Sequence, residues 1–513
     1  MEALAYHFLR AGERARAVPY LEQAGDLAEA RYAHEAAAAH YQNLLECLEE
    51  QENTPEIVRV LEKLTDVFWI MGWHDKLLTL LEPAADLLRS AGDLDGLGRV
   101  EAWIAHASFA KGATSAAMPR LEAVVELLEA HGPSRGLVHA YDARISLLTI
   151  CGEADRAVVQ AERALQMARV VGDSPLQVDA AMSLGYMLMF GDRADAALQA
   201  IEEAVRLAAG PGHPARFEQA LSQMAWFHEE RGEYGPAREA AERALALAKQ
   251  LRVPARIIQN MVRLGVTAYL TSDWPRARTW LEQAEILARE MGILGVRTCT
   301  ALQVDLGRLS IAEGRWDAAT HHLEEALTAI AGIDDRVLAQ VAHGHLAERD
   351  VHTGHPAAAI ARLTPLLDRS PVEERMVTQY ILPVLAWAHY ELVEMDQAET
   401  TAADSVRRAR AGTSRLGLVH ALRVQALIAI ARGQWAEAAS ALEEGLATAR
   451  SMPYPHGEGR LLHVYGLLEA RHGEPARARS YLDAALTICR RLGAGKDVEL
   501  VERQIAALRK GQL

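Results

Sequence analysis

The sequence predicts an all-α fold, a solenoid of paired helices. Three observations lead there: a small residue that returns every 40 residues or so, apolar residues spaced by three and four within each step, and turn residues where helices should stop and start. A chain of 513 residues would otherwise suggest about three or four domains. Half of its residues are hydrophobic and a quarter charged, which excludes a disordered chain. No apolar run approaches about 18 residues, so no transmembrane helix is expected. The opening MEALAYHFLRAGERARAV is charged and periodic, unlike a signal peptide.

The period is read from segments such as REAAERALALAK, RARTWLEQAEILAR and RARSYLDAALTICR. Their first small positions run Ala37, Leu77, Ala117, Ala157, Ala197, Ala237, Ala277, Ala319, Ala359, Ala398, Ala438 and Ala478. The step is 40 residues except for one of 42, before Ala319, and one of 39, before Ala398. Chance does not hold such a step along a whole chain.

Taken in order, residues 1–12 form a short helix, 14–31 a helix and 34–49 its partner, so the array begins half a step out of phase. From 51 to 493 each step holds two helices with a buried stripe. In 455–492 they are PHGEGRLLHVYGLLEARHG and EPARARSYLDAALTICRRLG, separated at Gly473 and Pro475, which suit a helix end and a helix start. Similar turns lie at 72–75, 152–155, 191–195, 232–236, 272–275, 314–317, 354–356 and 433–435. The joints between pairs start on prolines: Pro55, Pro175, Pro214, Pro254 and Pro455. Residues 494–513, with one polar face and a basic end, read as a capping helix. The division is therefore 1–50, 51–493 and 494–513.

The spacing of small residues resembles that of the tetratricopeptide repeat (TPR). Gly185 and Ala197, Gly265 and Ala277, Gly307 and Ala319, and Gly466 and Ala478 lie 12 apart. An aromatic residue stands three before the second member at Tyr234, Trp274, Trp316 and Trp435. The period of about 40, against 34 in the usual TPR, is similar to the longer repeats of bacterial signal-transduction ATPases such as the maltose-regulon activator. Residues 1–50 resemble the segment that follows the ATPase module in such regulators and in cyclase-linked ATPases. The resemblance implies about twelve helix pairs in a right-handed superhelix whose concave groove binds a partner. It further implies a scaffold or sensor segment of a bacterial signalling or transcriptional regulator.

Chemistry is sparse by comparison. No phosphate-binding G-x-x-x-x-G-K-[ST] occurs; the pair Gly495-Lys496 lacks its flanks and reads as a turn. No DNA-reading helix-turn-helix is recognisable, and a net charge of −15 argues against nonspecific nucleic-acid binding. Four scattered cysteines (Cys47, Cys151, Cys299, Cys489) read as buried, reduced thiols of a cytoplasmic protein. Six lysines among 54 basic residues fit a GC-rich bacterial coding sequence. The densest ionisable cluster, His343, His345, Glu348, Asp350, His352 and His355, places His345, Glu348 and His352 on one helix face. That spacing would suit a metal-dependent enzyme, the alternative to a noncatalytic protein; solvated helix faces explain it better, as they do the paired glutamates such as Glu202-Glu203 and Glu443-Glu444. No cofactor is expected. Trp226 and Trp387 fall one residue after the small position of a first helix, the face that the TPR resemblance implies lines the groove, and extending that register gives Asp179, Met182, Tyr186, Met189, Trp226, Glu229, Tyr269, Arg308, Trp387 and Tyr390. Aromatics, Met and Arg on one face suit a protein or peptide partner, or a small effector.

Overall fold

The computed structural model describes residues 1–31, 33–49, 54–70, 73–110, 114–150, 153–190, 193–210, 213–291, 297–331, 336–367, 376–412 and 414–510. All regular structure among the described residues is helical. Twelve consecutive pairs run from Arg14–Ala30 with His34–Glu49 to Pro455–Arg471 with Pro475–Leu492. Glu2–Arg10 precedes them and Gly495–Arg509 follows. No described helix is long and apolar enough to cross a membrane. By its contacts the chain divides into two units, Met1–Met187 and Leu188–Leu513, with the Ser174–Phe190 helix straddling the division.

In the first unit the pairs after His34–Glu49 are Thr54–Ile70 with His74–Ala91, Leu94–Ala110 with Thr114–His131, and Arg135–Ile150 with Ala154–Val171. Each buries the stripe its periodicity foretells. In the first of them that stripe is Ile57, Leu61 and Leu64 on one helix and Leu77, Leu81 and Leu88 on its partner. Tyr41, fully buried, lies across Gly25 with its hydroxyl 2.7 Å from Asp26 and 2.8 Å from Glu29, so that its one proton is shared between the two carboxylates. A Cβ at Gly98 would stand 2.7 Å from the Gly136 carbonyl, so these first helices touch backbone to backbone.

The second unit continues with Ala194–Ala208, Pro214–Glu230, Tyr234–Leu251, Pro254–Leu270, Trp274–Glu290, Arg297–Ala312, Trp316–Ile330, Arg336–His352 and Pro356–Leu363. A π-helical stretch, Val377–Ile381, then runs into Leu382–Glu391, where Pro383 has no N–H to give the preceding turn. Met395–Ala411, Arg415–Ala431, Trp435–Ser451 and the final pair complete it.

The repeat positions explain the packing. All twelve members of the 40-residue series, Ala37 to Ala478, are buried, eleven of them completely and Ala117 at 5% exposure. Within a pair the small residue of the first helix faces a leucine of the second: a Cβ at Gly265, Gly307 or Gly466 would come 2.7, 2.5 or 2.6 Å from Leu281, Leu323 or Leu482. Each of these leucines lies 16 residues after its glycine, so one contact repeats three times. Tyr234 and Trp274 open second helices and are buried; Trp316 and Trp435 are half-buried. Cys47, Cys299 and Cys489 are free and buried; Cys151 lies outside the described residues.

The second unit also curls back on itself. Arg415 donates to the Arg231 carbonyl at 3.0 Å, and the His456 N–H donates to Ser272 Oγ at 3.3 Å. Both contacts span 184 residues. Tyr234 and Leu270 share an apolar cluster with Met452 and Tyr454, and Ile258, Leu302 and Leu306 share one with Cys489 and Leu492. Turns inside the early pairs thus pack on joints between the late pairs. Where the sequence leads one to expect an open groove, this unit has a narrow interior.

Candidate functional site

The interior is lined by first helices, through residues within a turn of the expected register in the earlier pairs and residues two to three turns before it in the last three. Trp226 and Glu229 come from Pro214–Glu230, Arg263 and Tyr269 from Pro254–Leu270, and Asp305 and Arg308 from Arg297–Ala312. His345 and Glu348 follow on Arg336–His352, Tyr380 on the π-helical stretch, His420 on Arg415–Ala431, His456 and Arg460 on Pro455–Arg471, and Lys496 on the last helix.

These side chains enclose two adjoining cavities. A narrow one of about 30 Å³ lies among Tyr269, His345, Glu348, His456, Arg460 and Lys496. A wider one of about 190 Å³ lies among Trp226, Glu229, Arg263, Asp305, Ser414 and Arg415. Arg308, Gln379, Tyr380 and Leu416 wall both. At roughly 10–15 Å³ per water centre, the first holds about two waters and the second about a dozen.

Burial obliges charged groups to pair, and most of those lining the cavities do. Arg460 meets Glu348 at 3.2 Å, Arg308 meets Asp305 at 2.8 Å, and Arg263 meets Glu229 at 2.8 Å. Asp497 accepts from Lys496 Nζ and His456 Nε2, both at 2.9 Å. The Arg308 guanidinium also lies 4.3 Å over the Tyr269 ring. Burial pushes Glu348 upward, but His345, Arg460 and His352 reverse this and hold it well below the ordinary carboxylate range. Asp497 is likewise held low, Lys496 and His456 overcoming its burial.

The two cavities differ in electrostatic character. At the wider one burial raises Glu229 and Asp305 in spite of Arg263 and Arg308. Around the narrow one Glu348 and Asp497 hold Arg460 up in spite of its burial, while the bases beside it are lowered. Burial and the charge of Arg460 drive His420 down to about 3 and Arg423 down to about 9. Burial takes His463 to about 4 even though Gln504 hydrogen-bonds it, and lowers Lys496 against the pull of Asp497.

The residues of the expected groove are dispersed. Met182 (half-buried) and Tyr186 (41% exposed) belong to the first unit, as does Asp179, while Met189 is buried in the second. Trp226, Glu229 and Arg308 meet at the wider cavity, and Tyr269 and Arg308 at the narrow one. Trp226 is half-buried and donates Nε1–H to Glu230 at 2.9 Å. Trp387 lies in an apolar cluster with Val424 and Ile428, its ring edge-on to His352, and Tyr390 packs against the same cluster; neither lines either cavity. His345, Glu348, His420, His456, Arg460 and Lys496 were missing from the expected set. His420 and Arg460 lie seven residues, two helical turns, before the register positions 427 and 467, as Asp179 does before Tyr186, and His456 lies one turn further toward its helix start.

The histidine cluster at 343–355 gathers around an ion pair. Glu348 stands 3.8 Å from His345 and 3.9 Å from His352, and Arg460 occupies it. Asp350 is taken by Arg349 and Arg362. Among the described residues, ligand-type atoms converge at Glu285, His322 and Glu325, where Arg289 already pairs with Glu285 at 2.8 Å. In the first unit His106 approaches Ser146 at 3.3 Å, but Asp142 accepts from Ser183 rather than from the histidine, so no Ser–His–Asp relay is formed.

No protein-family model matches the chain, and no curated protein matches it. Solved structures do. A Rap protein complexed with competence and sporulation factor is 13% identical, covering 66% of this chain and 98% of that one, with a TM-score of 0.45. A signal transduction ATPase with numerous domains and a tetratricopeptide repeat sensor, from Pyrococcus horikoshii, is 17% identical over 66% of this chain, with a TM-score of 0.44. The match spans 54% of that ATPase's length. The apo form of RapI is 12% identical, covering 54% of this chain and 99% of that one, with a TM-score of 0.42. By its own recurring Gly-to-Leu contact and buried alanine series, the chain is an all-α array of TPR-like helix pairs.

Proposed function

We propose that this chain is a noncatalytic recognition segment, the scaffold or sensor part of a cytoplasmic bacterial signalling or transcriptional regulator. It holds a protein or peptide partner on the inner faces of its first helices. The observation that carries the reading is the succession of Trp226, Glu229, Tyr269 and Arg308 on three consecutive first helices, around space that the chain leaves unfilled. Aromatic rings and guanidinium groups on a pre-formed concave face are the groups that concentrate binding energy. The narrowness of the second unit's interior supports a further reading, a small effector held there while the partner docks elsewhere.

Affinity capture with mass spectrometry, using the full reading frame, tests the first reading. Trp226→Ala, at the wall of the wider cavity, should weaken capture of the partner while circular dichroism stays helical. A partner retained by this variant, or turnover of a substrate by the purified chain, would contradict it.

A further inference from the structure

The narrow cavity keeps unused hydrogen-bonding atoms of both kinds. His456 gives its Nε2–H to Asp497, which leaves a lone pair on Nδ1, and that atom is buried without a partner. On His345, Nδ1 is the atom turned to Glu348, and Nε2 is buried without a partner. The Arg308 Nε–H is a buried donor with no acceptor. A buried polar atom left unmatched costs stability unless something fills the site.

The charges do not balance either. Arg308 has Asp305, Arg460 has Glu348 and Lys496 has Asp497. Arg423, three residues after His420, lies 4.8 Å over the Trp387 ring, which Arg460 approaches at 5.8 Å from its own helix. Among the described residues no carboxylate stands within ion-pair distance of Arg423. Glu391, on the Trp387 helix, is exposed and accepts the indole N–H at 2.8 Å. Of the four cations at this end of the interior, three have a carboxylate partner and Arg423, which lies against Trp387 just outside the cavity lining, has none.

We infer that the narrow cavity binds a small monoanionic hydroxycarboxylate, a deepening of the recognition role proposed above. The carboxylate faces the spare guanidinium donors of Arg308 and Arg460, and the hydroxyl donates to the lone pair of His456 or His345. One negative charge cancels the excess of one, and one donor answers an orphaned acceptor. The space for about two waters matches a carboxylate group, and the wider cavity beyond Tyr380 leaves room for a longer carbon chain.

The test uses the full chain and sodium lactate at constant ionic strength, with binding followed by calorimetry and by tryptophan emission. Lactate should bind saturably and raise the melting temperature. Acetate, which has the charge without the donor, should bind about tenfold more weakly. Arg423→Met breaks no ion pair and should weaken lactate by about tenfold through loss of the unbalanced charge. Lys76→Met, a substitution in the first unit, should leave it unchanged. A lactate response no greater than that to sodium chloride overturns the inference, as does unchanged affinity in Arg423→Met. Tighter binding of phosphate or of alanine overturns the ligand class. Because binding is read on the purified chain, its failure with partner capture intact removes this inference alone.

Discussion

From Pro214–Glu230 onward, the turn inside each pair places one residue in the left-handed region, and at one position that residue is badly suited to it. Gly232, Gly314, Gly354, Gly433 and Gly473 hold the place with φ from 73° to 87°; Ser272 and Val393 hold it at 64° and 63°. A side chain there costs about 1–2 kcal/mol through contact of Cβ with the following carbonyl, and a β-branched one sits at the upper end. Val393 is 77% exposed, so its methyl groups return little by burial. Val393→Gly removes the strain and adds about 0.5–1 kcal/mol of unfolded-chain entropy, for a net gain of about 1–1.5 kcal/mol. Arrays of this kind need not unfold in one step, so the gain should be read locally, as slower amide exchange in Leu382–Glu391 and Met395–Ala411. Ser272 is the internal control. Its hydroxyl accepts from the His456 N–H at 3.3 Å, a bond worth about 0.5–1.5 kcal/mol, so Ser272→Gly should gain nothing or lose. Faster exchange in Val393→Gly, or equal gains at both positions, would refute the reasoning.

Three further outcomes are expected. Ala277→Leu and Ala438→Leu, at completely buried positions, should each destabilise their pairs by about 1–3 kcal/mol through overpacking; unchanged melting would show that the series does not set the spacing. Glu348→Ala should cost about 3–5 kcal/mol by stranding Arg460 in the interior, measured by urea unfolding. Acid should weaken the second unit before carboxylates titrate: with His420 at about 3 and His463 at about 4 in the folded chain, the unfolded chain takes up protons below about 6.5 while the folded one does not. Stability is then complete above about pH 7 and falls as pH drops through about 6.5, by about 2 kcal/mol per histidine at about pH 5. A flat melting temperature across that range would contradict the burial of these rings.

The local architecture is legible in the sequence. The alanine series marks where second helices press on first ones, and Gly265, Gly307 and Gly466 mark the opposite side of that contact. The helix starts at Pro214, Pro254 and Pro455 follow from chemistry confined to a few residues. The part that Arg460 plays was not legible, because it depends on how the array curves. Curvature sums small rotations over many pairs, and no single repeat encodes the sum. Trp387 shows the limit: its register places it on the inner face, yet the bend of the array surrounds it with His352, Val424 and Ile428.

Closure of the second unit changes what the same residues mean. On an open concave face Arg308, Glu348, Arg460 and Lys496 would be hydrated, and pairing among them would add little. Once contacts 184 residues apart narrow that face, its charges lose much of their water and must find a partner within the chain or bring one in from outside. Arg263–Glu229, Arg308–Asp305, Arg460–Glu348 and Lys496–Asp497 are partners found within. The first and third of these pairs join different helices, so a single substitution leaves a charge stranded on the neighbouring helix rather than merely exposed. Arg423, which has no such carboxylate, is then the residue that distinguishes a sealed structural core from a core shaped around a missing anion.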